Sequence, residues 1–94
     1  IGLRIRPSKG TGFADIAAQV SRFEQVEACF LMSGGYDLCV QIEGKTMKEV
    51  ALFVSQKLAT IDGVIATATH FVLHKYKDKG ILYDAAEVDE RGNI

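Results

Sequence analysis

The sequence has no tryptophan, and its one proline, Pro7, stands near the start. A chain with so little proline has no proline-rich linker to divide it into tethered pieces. Its two cysteines, Cys29 and Cys39, are too few for a disulfide framework and lack the Cys-x-x-Cys spacing of a metal chaperone. A net charge of −1 leaves no basic footprint for nucleic acid. The densest basic run, His74 to Lys79, is short and interrupted by Tyr76 and Asp78. No apolar run approaches the roughly 20 residues that span a bilayer, and no secretory signal pattern is present. The expectation is a soluble, cytoplasmic protein that touches neither a membrane nor, by itself, DNA.

What is present is 94 residues with a 48% hydrophobic and 24% charged composition. That is enough for one domain. A chain this short buries only about 60–65% of the surface its unfolded form exposes. Its margin of stability is thin, and a second apolar surface buried by self-association would widen it.

Ile1 to Arg6 alternates apolar and polar residues, the period of a half-buried strand. Turn residues follow from Pro7 to Gly12. Phe13, Ile16, Ala17, Val20 and Phe23 then mark one stripe of a helix. Val26–Met32 and Tyr36–Glu43 read as strands joined by the Ser33-Gly34-Gly35 turn, so they are antiparallel neighbours. Thr46 and Glu49 form a capping box that opens a second helix, with Met47, Val50, Ala51, Val54 and Leu58 as its stripe. Val64–His74 is a long β-branched strand. A short strand at Ile81–Tyr83 and a loose end from Asp84 complete the chain. The order strand-helix-strand-strand-helix-strand predicts an α+β, ferredoxin-like βαββαβ sandwich, an antiparallel four-stranded sheet with both helices on one face. The domain is expected over residues 1–77, with 78–94 as a C-terminal tail.

Such a sandwich leaves the other sheet face bare. Placing Ala28, Phe30 and Met32 toward the helices with Leu38, Val40 and Ile42 puts Glu27, Cys29, Leu31, Asp37, Cys39 and Gln41 on the open face. The last strand offers Thr67, Thr69, Phe71 and Leu73 on one side and Ala66, Ala68, His70 and Val72 on the other. Both faces are too apolar for free exposure to water. A second copy of the chain is the favoured cover; the tail beyond Lys75 is the competing one.

Three groups of residues merit a chemical reading. Main-chain N–H groups in the Ser33-Gly34-Gly35-Tyr36-Asp37 turn can receive a carboxylate, and Asp37 can pair with an amino group. The same glycines equally suit a plain tight hairpin, the account the residues alone favour. Thr67 and Thr69 share a strand face and can offer two hydroxyls, or serve as ordinary strand residues. His70 and His74 stand about 13 Å apart along a strand, too far for one metal, so no metal or other cofactor is expected. No nucleophile, base and orienting acid come together, and Gly10-Thr11-Gly12 lacks the lysine of a phosphate loop. No catalytic residue is expected. A small dimeric ferredoxin-like enzyme, of monooxygenase or isomerase type, stays open as the alternative, because the fold hosts many activities.

Two segments carry a resemblance. Leu31-Met32-Ser33-Gly34-Gly35-Tyr36-Asp37-Leu38 is similar to a "t/s-G-x-Y-D" hairpin. Leu58 to Val64, followed by Thr67 to Leu73, is similar to "l-x-x-i-p-G-V-x-x-t-x-T" and a final strand. Together, at this separation, they resemble the C-terminal effector-binding domain of the Lrp/AsnC transcription regulators, also called the regulation-of-amino-acid-metabolism domain, over roughly Ile1 to Lys77. The resemblance implies a dimer with sheets packed face to face, further assembly of dimers into an octamer or other higher assembly, and an amino-acid-like effector in the cleft between dimers. The ligand-binding residues it implies are Met32, Ser33, Gly34, Gly35, Tyr36, Asp37, Thr67 and Thr69. It puts ligand binding ahead of the plain-hairpin account and favours Gly35 as a position where a β-branched residue abolishes binding. Members of the family usually carry a helix-turn-helix DNA-binding domain, which this chain does not contain. It is either the excised half of a regulator or a stand-alone version, and the missing initial Met favours the first.

Overall fold

The computed structural model describes residues 1–8, 10, 12–43 and 46–83. Within them the chain forms β1 (Gly2–Ile5), α1 (Phe13–Ser21), β2 (Ala28–Leu31), β3 (Leu38–Gln41), α2 (Met47–Phe53), β4 (Val64–Ala68), β5 (Lys77–Asp78) and β6 (Ile81–Leu82). The first four strands make one antiparallel sheet in the order β2-β3-β1-β4, the ferredoxin-like arrangement of two interleaved β-α-β units.

Local chemistry starts each helix. The Gly12 N–H donates to Asp15 Oδ2 at 2.9 Å, satisfying one donor that the first turn of α1 leaves open. At α2 the Glu49 N–H donates to Thr46 Oγ1 at 3.1 Å while the Thr46 N–H donates to Glu49 Oε1 at 3.2 Å, the reciprocal box the sequence predicts. The last turns of this second helix, Val54–Leu58, are wound as a π-helix. Phe53, Val54 and Leu58 are all buried along it. Phe53, outside the stripe read from sequence, meets Phe23 edge-on with centroids 5.3 Å apart.

The core lies between the sheet and the helices. Leu3 and Ile5 of β1, Leu38 and Val40 of β3, Ile16 and Val20 of α1, and Val50, Phe53, Val54 and Leu58 of the second helix are all buried. Each such side chain contributes roughly 1.5–3 kcal/mol by leaving water.

Two sequence expectations need correction. The β2–β3 register pairs Ala28 with Gln41, Cys29 with Val40 and Phe30 with Cys39. Cys29 therefore shares the helix face with Val40, and Ala28 and Phe30 share the open face with Cys39 and Gln41. The expected assignment of β2 is inverted. The cause is the turn: four residues lie between Met32 and Asp37, so even-numbered residues of β2 meet odd-numbered residues of β3. Second, the last strand ends at Ala68 and not near His74. Ala68 pairs with Gly2, where β1 begins, and residues 70–75 have no strand beside them among those described. β-branched residues do not hold a strand that has no partner.

Beyond that point the chain is exposed, with Val72 and Leu73 at 76% and 85% of full accessibility. Lys77–Asp78 and Ile81–Leu82 then pair as a short hairpin. Lys75 Nζ contacts Asp78 Oδ2 at 3.4 Å, which holds the Lys75 ammonium above its ordinary pKa. The tail segment read as loose, from Asp84 on, lies outside the described residues.

Candidate ligand-binding hairpin

The Met32–Asp37 turn is fastened from behind and open in front. The Met32 N–H donates to Asp37 O at 2.8 Å and closes the hairpin. Ser33, Gly34 and Gly35 are exposed, with Gly34 at φ +123°, a backbone conformation that side chains other than hydrogen rarely adopt. A β-carbon at Gly35 would meet nothing within 4 Å. The glycine the turn requires is therefore Gly34, and Gly35 faces open space.

Behind the turn, β1 holds it at three points. The Asp37 N–H donates to Leu3 O at 2.8 Å. Leu3 also has Leu38 as its register partner, so two residues of one strand stand opposite one of the other, as in a bulge. The extra residue shifts the alternation by one. Tyr36, which strict alternation would put on the same side as Leu38, falls on the open face, over Gly2. The third contact is the Ile5 N–H, which donates to Asp37 Oδ2 at 2.7 Å.

Gly2 and Ile5 are the neighbours of the hairpin that sequence reading missed. A glycine at an alternating position inside a strand is the signal that marks close approach of another group.

The two threonines lie elsewhere. Thr67 is half-buried opposite Leu3, on the helix face, and Thr69 is exposed one residue past the end of β4. β1 stands between β4 and the hairpin strand, a lateral separation of about 10 Å. One chain brings Met32, Ser33, Gly34, Gly35, Tyr36 and Asp37 into a single loop, but does not bring Thr67 and Thr69 to it.

Two surface hollows also lie away from the hairpin. Glu24, Gln25, Glu27 and Glu43 line one; Ile42, Val50, Phe53 and Gln56 are among those lining the other. His74 packs against Tyr76 with ring centroids 4.5 Å apart. Among the described residues no three histidine, cysteine or acidic side chains converge as a metal site. No helix among them is long and apolar enough to cross a membrane.

A βαββαβ sandwich with an exposed glycine hairpin is a frame that many activities share, and comparison with known proteins supplies the family. Residues 1–82 match the model of the Lrp/AsnC ligand binding domain, and the chain belongs to that family. It is 46% identical over 91 residues to YugG, an uncharacterized HTH-type transcriptional regulator of Bacillus subtilis, an alignment covering 97% of this chain and 55% of YugG. It is 28% identical over 54 residues to PH0140, an uncharacterized HTH-type transcriptional regulator of Pyrococcus horikoshii, covering 57% of this chain and 34% of that protein. The chain thus spans about half the length of YugG. No solved structure matches it. The family is a regulatory ligand-binding domain and not an enzyme, which sets aside the monooxygenase or isomerase alternative.

Proposed function

We propose that this chain is the sensing and oligomerisation module of an amino-acid-responsive transcription regulator. A small amino-acid-like effector binds at the Met32–Asp37 hairpin, in a cleft where two dimers meet. The observation that carries this reading is the hairpin itself, anchored to β1 on one side and exposed on the other. Its main-chain N–H groups suit a carboxylate. Thr67 and Thr69 complete the cleft from a neighbouring subunit, since geometry keeps them from the hairpin of their own chain.

Self-association draws support from the corrected register. The open face now holds Phe30 at 48% and Met32 at 47% exposure, beside Ala28, Tyr36, Cys39, Ala66 and Ala68. Arg4 and Gln41 are its polar members. The described part of the tail leaves Phe30 and Met32 uncovered. An exposed apolar face of this extent favours burial against a second copy. Dimers formed this way then assemble further, to an octamer or another higher assembly. The effector acts by preferring one assembly state. DNA is engaged through a helix-turn-helix domain of the kind named in the relatives, and the setting is the cytoplasm.

The test is a thermal-shift screen of the twenty amino acids, read beside light scattering. The expected result is a rise in melting temperature with a few of them and a change in mass with the same few. A chain that stays monomeric at high concentration and responds to none refutes the reading.

A further inference from the structure

The odd-numbered residues from Ile1 to Ile5 turn their main-chain polar groups toward β3. Ile1 exchanges both of its bonds with Val40, at 2.9 Å and 2.8 Å. Leu3 O accepts from the Asp37 N–H. The next such group is the Ile5 N–H, and there β3 has already left the sheet to form the turn. A main-chain donor left unpaired at that point would bear its full desolvation penalty. The Asp37 carboxylate fills the gap at 2.7 Å. Asp37 thus uses its carbonyl to close the hairpin onto Met32, its N–H to hold Leu3 and its side chain to hold Ile5. Arg6 turns the other way, donating to Gly63 O at 2.8 Å, so Ile5 is the last residue of β1 that the hairpin side can hold.

We propose that Asp37 is a positioning residue that sets the Ser33–Tyr36 loop on β1, and not a contact to the effector's amino group. The proposal rests on the reading that this hairpin takes an amino-acid-like effector. The chemistry of the bond separates the two roles. An acceptor for an N–H need not be charged, whereas a partner for an ammonium group gains most of its strength from charge. Asparagine keeps the acceptor and loses the charge; alanine loses both.

The experiment compares wild type, Asp37→Asn and Asp37→Ala. Amide hydrogen exchange at Ile5 reports the anchor. Calorimetry reports binding of whichever of the twenty amino acids gives the largest thermal shift on wild type. Asp37→Asn is expected to retain Ile5 protection and to bind within about threefold of wild type. Asp37→Ala is expected to lose protection at Ile5 and to bind roughly tenfold or more weakly, the loss of one hydrogen bond to a charged group. Retained protection in Asp37→Asn with binding weakened more than tenfold overturns the proposal, since the charge then contacts the amino acid. Retained protection in Asp37→Ala overturns it as well, because the carboxylate is then no anchor. A wild type that none of the twenty amino acids shifts refutes the amino-acid reading instead, and Ile5 exchange in the two variants still decides the anchor.

Discussion

The ring of Tyr36 sits against the main chain of Gly2, close enough that a β-carbon at Gly2 would stand 2.8 Å from Tyr36 Cγ. No real β-carbon tolerates that distance, so Gly2→Ala must displace the ring or spread the strands. The expected cost is about 1–3 kcal/mol, the range of overpacking in a fitted site. Urea unfolding measures it. Adding Tyr36→Ala removes the clash, so the double variant should be more stable than the sum of the two single losses. Strict additivity would show that the ring and the glycine do not meet.

Phe30 tests the open face. It pairs with Cys39 on the side away from the helices and is half-exposed in a single chain. Phe30→Glu should leave the circular dichroism of the fold intact and shift the assembly toward monomer in light scattering. Leu52→Glu is the control, an exposed apolar residue on the second helix. It should leave the mass unchanged. Equal masses for wild type and Phe30→Glu would remove the open face from the interface.

The architecture was legible because its signals are local. The capping box at Thr46 and Glu49, the apolar stripes and the glycine turn each act within a few residues. What escaped was relational. Whether Phe30 faces the helices depends on how many residues the turn contains, and the composition of β2, with apolar residues on both sides, does not say. Whether Val64–His74 is one strand depends on what lies beside it, and its β-branched residues are silent on that. Which face Tyr36 takes depends on the doubled pairing opposite Leu3, which shifts alternation by one. The loop itself was found from its glycines, but its attachment to Gly2 and Ile5 comes from a strand more than thirty residues earlier in the chain.

Gly34 and Gly35 are predicted to differ. Gly34 has a φ of +123°, and a β-branched residue there forces the loop into another path, a strain of about 1–3 kcal/mol. Gly34→Val should abolish amino-acid binding in calorimetry while the core, remote from the loop, keeps the chain folded. Gly35→Val meets open space. It should fold normally, and any loss of binding it shows would come from the side chain blocking the effector. Unchanged binding in Gly34→Val would dissociate the loop from recognition.

Cys29 and Cys39 make the face assignment chemically testable. They lie on neighbouring strands, but Cys29 is opposite Val40 on the helix side and Cys39 is opposite Phe30 on the open side. Their Cβ vectors point apart, which a disulfide cannot bridge without backbone movement. Mild oxidation should therefore leave the two thiols unlinked within a chain, seen as an unchanged intact mass. Their accessibilities should also respond differently to assembly. Alkylation of Cys39 should slow as protein concentration rises through the association range, because a second copy covers the open face. Alkylation of Cys29, screened by its own helices, should not depend on concentration. Rapid formation of an intrachain disulfide would overturn the register. A Cys39 rate independent of concentration would instead leave the register standing and remove the second copy from that face.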